Sequence, residues 1–310
     1  MAEPHRIDKA GGSTESLEPK YLLAAWAAAR AESLNNRAAA AQLGVSEAQL
    51  IASACGTFVT RLRPDFAALL GELPALGEIK AIVRNPLTVL ERAGVVESVT
   101  HTLTDLIRLA ADRFHADCCL DLWRKAFSLE EQGPRGVKRS LQFFTDDGTS
   151  AAKFFLRPDS DLTQFLTLVQ RYADRDQCAD EIVGAARPHP YSPVDRLTEA
   201  PEGALFAFLN VARDAKAPLT FIVRNPAAVL SATKSIDRVK RSDAGGWVNV
   251  LDEGMDLHLH EEHVRYVRLV PDAESDSGYF HWLSEQRVVM LSVHTATSWD
   301  TLNGAIDAAV

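Results

Sequence analysis

The chain has 310 residues, a formal net charge of −9 at pH 7, 46% hydrophobic residues and 24% charged residues. Its length predicts two domains, at about 100 to 200 residues per domain. No apolar run approaches the roughly 18 residues that a membrane-spanning helix needs, and the acidic balance repels a phosphate backbone, so composition excludes membrane insertion and opposes nucleic-acid binding.

The first sixteen residues carry acidic side chains and no apolar segment, so they fit neither a secretory signal nor a transit peptide. We expect residues 1–16 to form a disordered tail. The four cysteines have no CxxC spacing, which indicates reduced thiols and a cytoplasmic protein without disulfides.

Helices are predicted over residues 17–33, 36–43 and from Ser46 to about residue 54. Gly44 ends the second helix and Ser46 is a good N-cap for the third, so this passage has the pattern of a helix-turn-helix. The DNA-binding form of that motif reads bases with the residues that open its second helix. Here these are Glu47, Ala48 and Gln49, with no cation among them, so we expect helical packing rather than DNA binding.

Strands are predicted from residue 78 onward, where β-branched and aromatic residues occur in short runs. An Asp-Asp-Gly turn at 146–148 predicts a hairpin of 140–145 with 151–157. A helix follows over 161–172, and its spacing places Leu162, Phe165, Leu166 and Val169 on one core-facing side. After a proline-rich linker at 176–201, a helix over 203–215 and strands from residue 219 onward end in a hairpin at 278–293. This order predicts an α+β fold with antiparallel sheets.

The nonapeptide at 82–90, IVRNPLTVL, returns at 222–230 as IVRNPAAVL, with seven of nine positions identical. A period this long differs from the roughly 20 to 50 residues of a solenoid repeat and indicates a duplicated domain. We therefore predict a tandem pseudo-repeat of 17–175 and 202–310. The repeated Arg-Asn-Pro is interpreted as a strand-ending turn in each copy, with paired anion-binding arginines as the alternative.

Three passages resemble the HemS/HmuS/ChuS family of bacterial cytoplasmic haem-utilisation proteins. They are LGVSEAQL at 43–50 with GEIKAIVRN at 77–85, Trp123 with AFSL at 126–129 and GVKRSLQFF at 136–144, and GWVNV at 246–250 with DLHLH at 256–260. The resemblance implies two pseudo-symmetric halves, each an extended antiparallel sheet with helices, and a haem cleft between them. It also implies haem trafficking or breakdown after import, with a haem importer and a haem oxygenase as partners.

The two axial groups that the resemblance implies have no match in this sequence. The family's iron-binding histidine lies on a helix, but the corresponding segment at 174–198 is shorter and its only histidine, His189, stands between two prolines, which block a helix. We interpret His189 as a surface residue. The family's facing arginine corresponds to Asp117, counting back without gaps from Trp123, and a carboxylate has the wrong charge for that role.

His115 is the best remaining candidate for an iron ligand, because strand alternation places it on one face with Asp117 and Cys119. Asp117 could orient it. A packed or solvent-facing histidine is the plainer interpretation. His294 lies where the family places aromatic and basic haem contacts, and it either lines the cleft or ends a strand at the surface.

His258 and His260 share a strand face and could bind a divalent metal, although a polar sheet face is the plainer interpretation. The leading hypothesis is a cytoplasmic protein that binds and traffics haem or a related tetrapyrrole. Loss of both axial groups favours binding over haem degradation. The alternatives are a degenerate paralogue that acts as a non-haem interaction or regulatory protein, and a divalent-metal binder.

Overall fold

A computed structural model describes residues 18–32, 34–103, 105–133, 136–181, 183–184, 197–242, 246–296 and 299–307. The predicted tail over 1–16 and His189 lie outside these residues. The helices are α1 (Pro19–Ala31), α2 (Asn36–Gln42), α3 (Glu47–Ala52), α4 (Phe66–Gly71), α5 (Leu162–Tyr172), α6 (Ala204–Asp214) and α7 (Trp299–Asp307). No helix of the described part is long and apolar enough to cross a membrane.

The strands are named in chain order. The first copy contains β1 (Val59–Leu62), β2 (Glu78–Arg84), β3 (Thr88–Leu103), β4 (Leu106–Ala111), β5 (His115–Cys119), β6 (Trp123–Gly133), β7 (Gly136–Thr145) and β8 (Ser150–Leu156). The rest are β9 (Thr198–Glu199), β10 (Pro218–Asn225), β11 (Ala228–Ser235), β12 (Val239–Arg241), β13 (Trp247–Asp252), β14 (Met255–His260), β15 (Val264–Pro271), β16 (Gly278–Ser284) and β17 (Val289–Thr295).

The N-terminal helices fold as their capping residues predict. Asn35 caps α2 by accepting from the amide of Ala38, and Ser46 forms a reciprocal capping box with Gln49 at the start of α3. Gly44 between them has a φ of +68°, which glycine adopts without strain. The apolar side chains of α3 are buried in a cluster with Trp26 of α1. These helices therefore pack against the protein, as expected.

Two antiparallel sheets form the body of the molecule, and each takes strands from both copies. The first sheet has the order β1-β6-β7-β8-β2-β3-β14-β13-β12, and the second has the order β3-β4-β5-β11-β10-β17-β16-β15-β9. One cluster of buried side chains contains residues of both sheets, so the sheets pack face to face. The predicted α+β class with a tandem repeat and antiparallel sheets is confirmed.

The strand β3 joins the two sheets. Its first half, up to Val95, pairs with β2, while the half from Val96 onward pairs with β4. A single 16-residue strand thus belongs to both layers. The boundaries of the two repeats stay a prediction, because the copies exchange strands rather than forming separate sheets.

Asn85 of the first repeated motif holds its own turn and also reaches into the other copy. Its Oδ1 accepts from the backbone amide of Thr88 at 2.8 Å, which closes the turn between β2 and β3. Its Nδ2 donates to the carbonyl of Met290 at 2.8 Å and, more weakly, to that of Arg224 at 3.4 Å. Asn85 is only 4% exposed, so these bonds satisfy polar groups in the interior.

Asn225 makes the reciprocal set of hydrogen bonds from the second copy. Its Oδ1 accepts from the amide of Ala228 at 2.9 Å, and its Nδ2 donates to the carbonyls of Arg84 at 3.0 Å and Ala151 at 2.9 Å. The strand-ending turn expected for Asn-Pro is present in both copies. The same two amides also tie the first sheet to the second.

The predicted core face of α5 is right at two positions and wrong at two. Phe165 is buried and Val169 packs against the core, whereas Leu162 and Leu166 are 41% and 45% exposed. Leu168 and Tyr172 complete the buried side instead. Both sets are spaced for one side of a helix, and the observed face adds the aromatic ring of Tyr172 to the apolar surface removed from water.

We expect Asn85→Ala to lower the free energy of unfolding by about 2 kcal/mol, because it leaves buried carbonyl and amide groups without partners. Urea denaturation of the purified protein measures this. Asn210→Ala is the matched control, since the Asn210 amide donates only to the carbonyl of Phe206 within α6. Equal effects of the two substitutions would contradict a special role for Asn85.

Candidate functional site

The outer face of the second sheet carries the residues predicted as a cofactor site. Along β5, His115 is exposed and Asp117 and Cys119 are half-buried, while Ala116 and Cys118 face the core. The predicted alternation is therefore present, and His115, Asp117 and Cys119 share the outer face. His115 is a solvent-facing strand residue, as its plainer interpretation stated.

Strand register extends this face across both copies. One row of cross-strand neighbours contains, in order, His115, Ser231, Ile222, Ser292 and His281. The face thus begins on a first-copy strand, β5, and continues over four second-copy strands. Every one of these positions is fixed by backbone pairing, which makes the face a rigid platform.

A second row on the same face contains Thr233, Thr220, His294 and Tyr279. His294 therefore does line the face on which His115 lies. However, β5 and β17 are separated by two intervening strands, so the two backbones are about 14 Å apart at roughly 4.8 Å per strand step. His115 and His294 do not converge on one point.

Asp117 is paired with an arginine that sequence reasoning missed. Arg108, its cross-strand neighbour on β4, donates from Nε and Nη2 to the two carboxylate oxygens at 2.7 and 2.9 Å. The charge of Asp117 is thus neutralised, and a guanidinium lies on the outer face next to the position where the resemblance implied one. Only the register of β4 against β5 identifies Arg108, and no sequence motif marks it.

His281 is a second residue that the sequence did not single out. Its Nδ1 lies 2.8 Å from the Oγ of Ser292, and the ring of Tyr279 stacks near it at 5.7 Å. Burial, with the charges of Arg224 and Arg268, lowers the pKa of His281 to about 4. Its imidazole is therefore neutral at pH 7, and the Nδ1 contact with Ser292 orients the ring.

The ring of Tyr279 connects His281 to His294. The centroids of Tyr279 and His294 are 4.6 Å apart, and the two residues are direct cross-strand neighbours. The sequence signal for this group was the alternate spacing of Tyr279 and His281 and of Ser292 and His294. The signal could be interpreted only with the register of β16 against β17, which the sequence does not give.

Neither cysteine of β5 is a ready thiolate. Burial raises the pKa of Cys118 far above its usual range, and it raises the pKa of Cys119 to about 11, with a contribution from the bond to Asp121. The Cys119 Sγ lies 2.9 Å from Oδ1 of Asp121. Both thiols are protonated at neutral pH, so imidazoles are the stronger candidates for metal ligands on this face.

His258 and His260 lie on the outer face of the first sheet, away from His115. The Nδ1 of His258 is 2.7 Å from Oδ1 of Asn249, and the ring of His260 packs between those of Trp247 and His263. Over the described ranges, no three His, Cys, Asp or Glu side chains are grouped so as to hold a metal ion. His263 is a neighbouring imidazole of His260, but no third ligand joins the two among the described residues.

Comparison with protein families gives one match, to the model described as "Haemin-degrading HemS.ChuX domain", over residues 44–172 and 192–281. The hemin transport protein HmuS of Yersinia pestis is 24% identical over 258 residues, which cover 71% of this chain and 74% of that protein. The hemin transport protein HemS of Yersinia enterocolitica is 27% identical over 258 residues, with the same coverage of 71% and 74%.

Solved structures share the fold. Holo-PhuS, a heme-binding protein from Pseudomonas aeruginosa, is 26% identical with a TM-score of 0.83, covering 92% of this chain and 97% of its own. The heme-degrading enzyme ChuS of Escherichia coli O157:H7 has a TM-score of 0.82 at 18% identity, covering 93% and 99%. The likeness to ChuS is one of fold alone.

We expect the pKa of His281 to be about 4, as measured by NMR of its ring protons. The pKa should be higher in Arg224→Gln, because this substitution removes a repelling cation. A folded-state pKa below the unfolded value means that the unfolded chain binds the proton more tightly. Stability therefore falls as the pH drops from about 6.5 toward 4, and His281→Gln should weaken that dependence. Arg213→Gln on α6 is the control, and an unshifted His281 pKa in Arg224→Gln would contradict the assignment.

Proposed function

Because this chain belongs to the family of haemin-degrading HemS/ChuX domains, matched over residues 44–172 and 192–281, we propose that it binds haem or a related tetrapyrrole on the outer face of the second sheet. The observation that carries the proposal is the combination of histidines and arginines on this single face. The protein would serve haem-iron utilisation in the cytoplasm.

The residues on the face fit the chemical needs of haem. Haem iron is commonly held by a neutral imidazole, and carboxylates such as propionates pair best with arginine. His115 is the proposed iron ligand, since its side chain is exposed on the outer face. Arg224 shares a row with Asp117 through Val229, about 10 Å away across two strand steps, and is the proposed propionate partner.

Arg108 supplies the guanidinium that would lie beside the cofactor, and Asp117 orients it. Arg108 donates two hydrogen bonds to the Asp117 carboxylate, and these bonds hold the guanidinium at the edge of the proposed site. The carboxylate therefore orients a cation rather than facing haem as an uncompensated negative charge. His294 and Tyr279 line the far end of the face.

His281 is the second candidate for the iron ligand, and a specific observation favours it. Its low pKa keeps the ring neutral, and the hydrogen bond between Nδ1 and Ser292 orients the ring, so that Nε2 is the nitrogen available for iron. His115 and His281 lie at opposite ends of one row, about 19 Å apart over four strand steps. One haem therefore uses one of them.

We favour binding and delivery of haem over its degradation. When bound, haem supplies a redox-active iron, and the chain's part is to hold and orient it. A ligand on an open sheet face leaves haem accessible to a partner, which suits transfer from a haem importer to a haem oxygenase. The non-haem interaction protein is the outcome that remains if haem does not bind.

Titration of the purified protein with aqueous haem, followed by the Soret band, tests the function. We expect saturation at about one haem per chain, because the face offers one set of propionate-binding cations. A Soret band that grows linearly past two equivalents without a break would reject the haem-binding proposal.

Substitution of each histidine separates the two ligand assignments. We expect His115→Ala to shift the Soret band and weaken haem binding by about tenfold or more, while His258→Ala on the opposite sheet serves as the control. If His281→Ala shifts the band and His115→Ala does not, then His281 is the ligand. An unchanged spectrum in both variants would remove both residues from the iron.

A further inference from the structure

A cavity lies beneath α2, next to the first repeated Arg-Asn-Pro motif. It has a volume of about 330 Å³, and its apolar wall is formed by Ala40, Ala41, Val45, Pro86 and Pro226. A wider groove of about 840 Å³ continues from it over the outer face of the first sheet. The cavity is within the range of about 300 to 1,000 Å³ that small-molecule sites occupy.

The side chain of Arg84 lines both the cavity and the groove, and no described residue is its partner. Across the described residues its guanidinium makes no hydrogen bond or ion pair, and its Nε is buried without an acceptor. Burial and the nearby charge of Arg37 lower the pKa of Arg84 to about 10. The charges of Glu47 and Glu91 act on Arg84 in the opposite direction, but neither carboxylate forms an ion pair with it, so the site is an exception to the usual pairing of polar groups that are shielded from water.

Arg37 of α2 adds a second cation to the same cavity. Its Nη1 donates to the carbonyl of Asn85 at 3.3 Å, and no carboxylate of the described chain pairs with it. Burial lowers its pKa, as it does that of Arg84. The nearest buried carboxylate, Glu47, forms an ion pair with Lys153 instead. Two guanidinium groups thus line one cavity, and neither forms an ion pair with a described residue, although the carboxylates of Glu47, Asp146 and Asp147 also line it.

The turn does not explain why Arg84 is half-buried. The Asn side chains hold the turn in both copies, and the equivalent arginine of the second copy, Arg224, is exposed to solvent. The fold therefore tolerates a solvated arginine at this position of the repeat. The partial burial of Arg84 is specific to the first copy, where Arg84 and residues of α2 line one cavity.

We propose that Arg84 and Arg37 bind the anionic head of a small carboxylate- or phosphate-bearing molecule whose apolar body occupies the cavity beneath α2. The planar arginine fork matches either oxyanion, and the alanine, valine and proline wall matches an apolar body. This site is separate from the proposed haem face, because its two arginines come from α2 and from β2 of the first sheet, whereas the haem face is the outer face of the second sheet. It gives Arg84 an anion-binding role of its own, distinct from the propionate-binding role proposed for Arg224 on the haem face.

Ligand-observed NMR and thermal unfolding of the full chain test the proposal with three probes: hexanoate, phenyl phosphate and the neutral hexanamide. We expect saturation transfer and a raised Tm with at least one anion and neither effect with hexanamide. The stronger anion identifies the head group as carboxylate or phosphate. No response to either anion, or an equal response to hexanamide, would overturn the proposal.

Arg84→Gln should weaken anion binding by about tenfold or more, and Arg37→Gln should act in the same direction. Arg213→Gln on α6 is the control, because Arg213 pairs with Asp214 and lines neither proposed site, and this variant should retain binding. Equal losses in Arg84→Gln and Arg213→Gln would reject the site. Haem titration of Arg84→Gln should be unchanged, so failure of this site and failure of the haem proposal are distinguishable.

Arg84→Met provides a readout that a purely structural role would not produce. We expect the ligand-free variant to unfold at a Tm equal to or above that of the wild type, because an unpaired buried cation is removed. The anion-induced rise in Tm should disappear at the same time. A lower Tm of the ligand-free variant would instead assign Arg84 a structural role and contradict the proposal.

Discussion

The reciprocal hydrogen bonds of Asn85 and Asn225 are the constraint on which the rest of the structure depends. Each amide closes the turn of its own hairpin with its oxygen and reaches carbonyl groups of the other copy with its nitrogen. Because these groups are shielded from water, a mismatch would leave several of them unsatisfied at once. The two turns therefore fix how the first sheet is placed against the second.

This placement determines which residues can form a site together. Strand exchange brings β5 of the first copy alongside β11 of the second, so His115, Asp117 and Arg108 share a face with Arg224 and His281. Neither copy alone contains the complete set. A duplication that gave two independent sheets would have separated them, and the proposed haem face exists because the sheets are mixed.

The predictions that succeeded rest on interactions between residues close in sequence. Ser46 and Gly44 predicted the turn between α2 and α3, and Asp-Asp-Gly predicted the hairpin of β7 and β8, because helix capping and a positive φ depend on only a few neighbouring residues. Pairing between distant strands has no such local signal. The passage of β3 between sheets, the rotation of α5 and the residues Arg108 and His281 depend on neighbours far along the chain, so one sequence could not reveal them.

The two copies show which parts of the repeated motif are structural and which are free to change. The asparagine closes the turn with the same hydrogen bond in both copies. The arginines differ, because Arg84 lies beneath α2 with no hydrogen-bond partner among the described residues, whereas Arg224 is exposed and lowers the pKa of His281. The pentapeptides at 82–86 and 222–226 are identical in sequence, but their arginines lie in two different electrostatic environments. The surroundings supplied by α2 and by β16, rather than the motif itself, set what each arginine can bind.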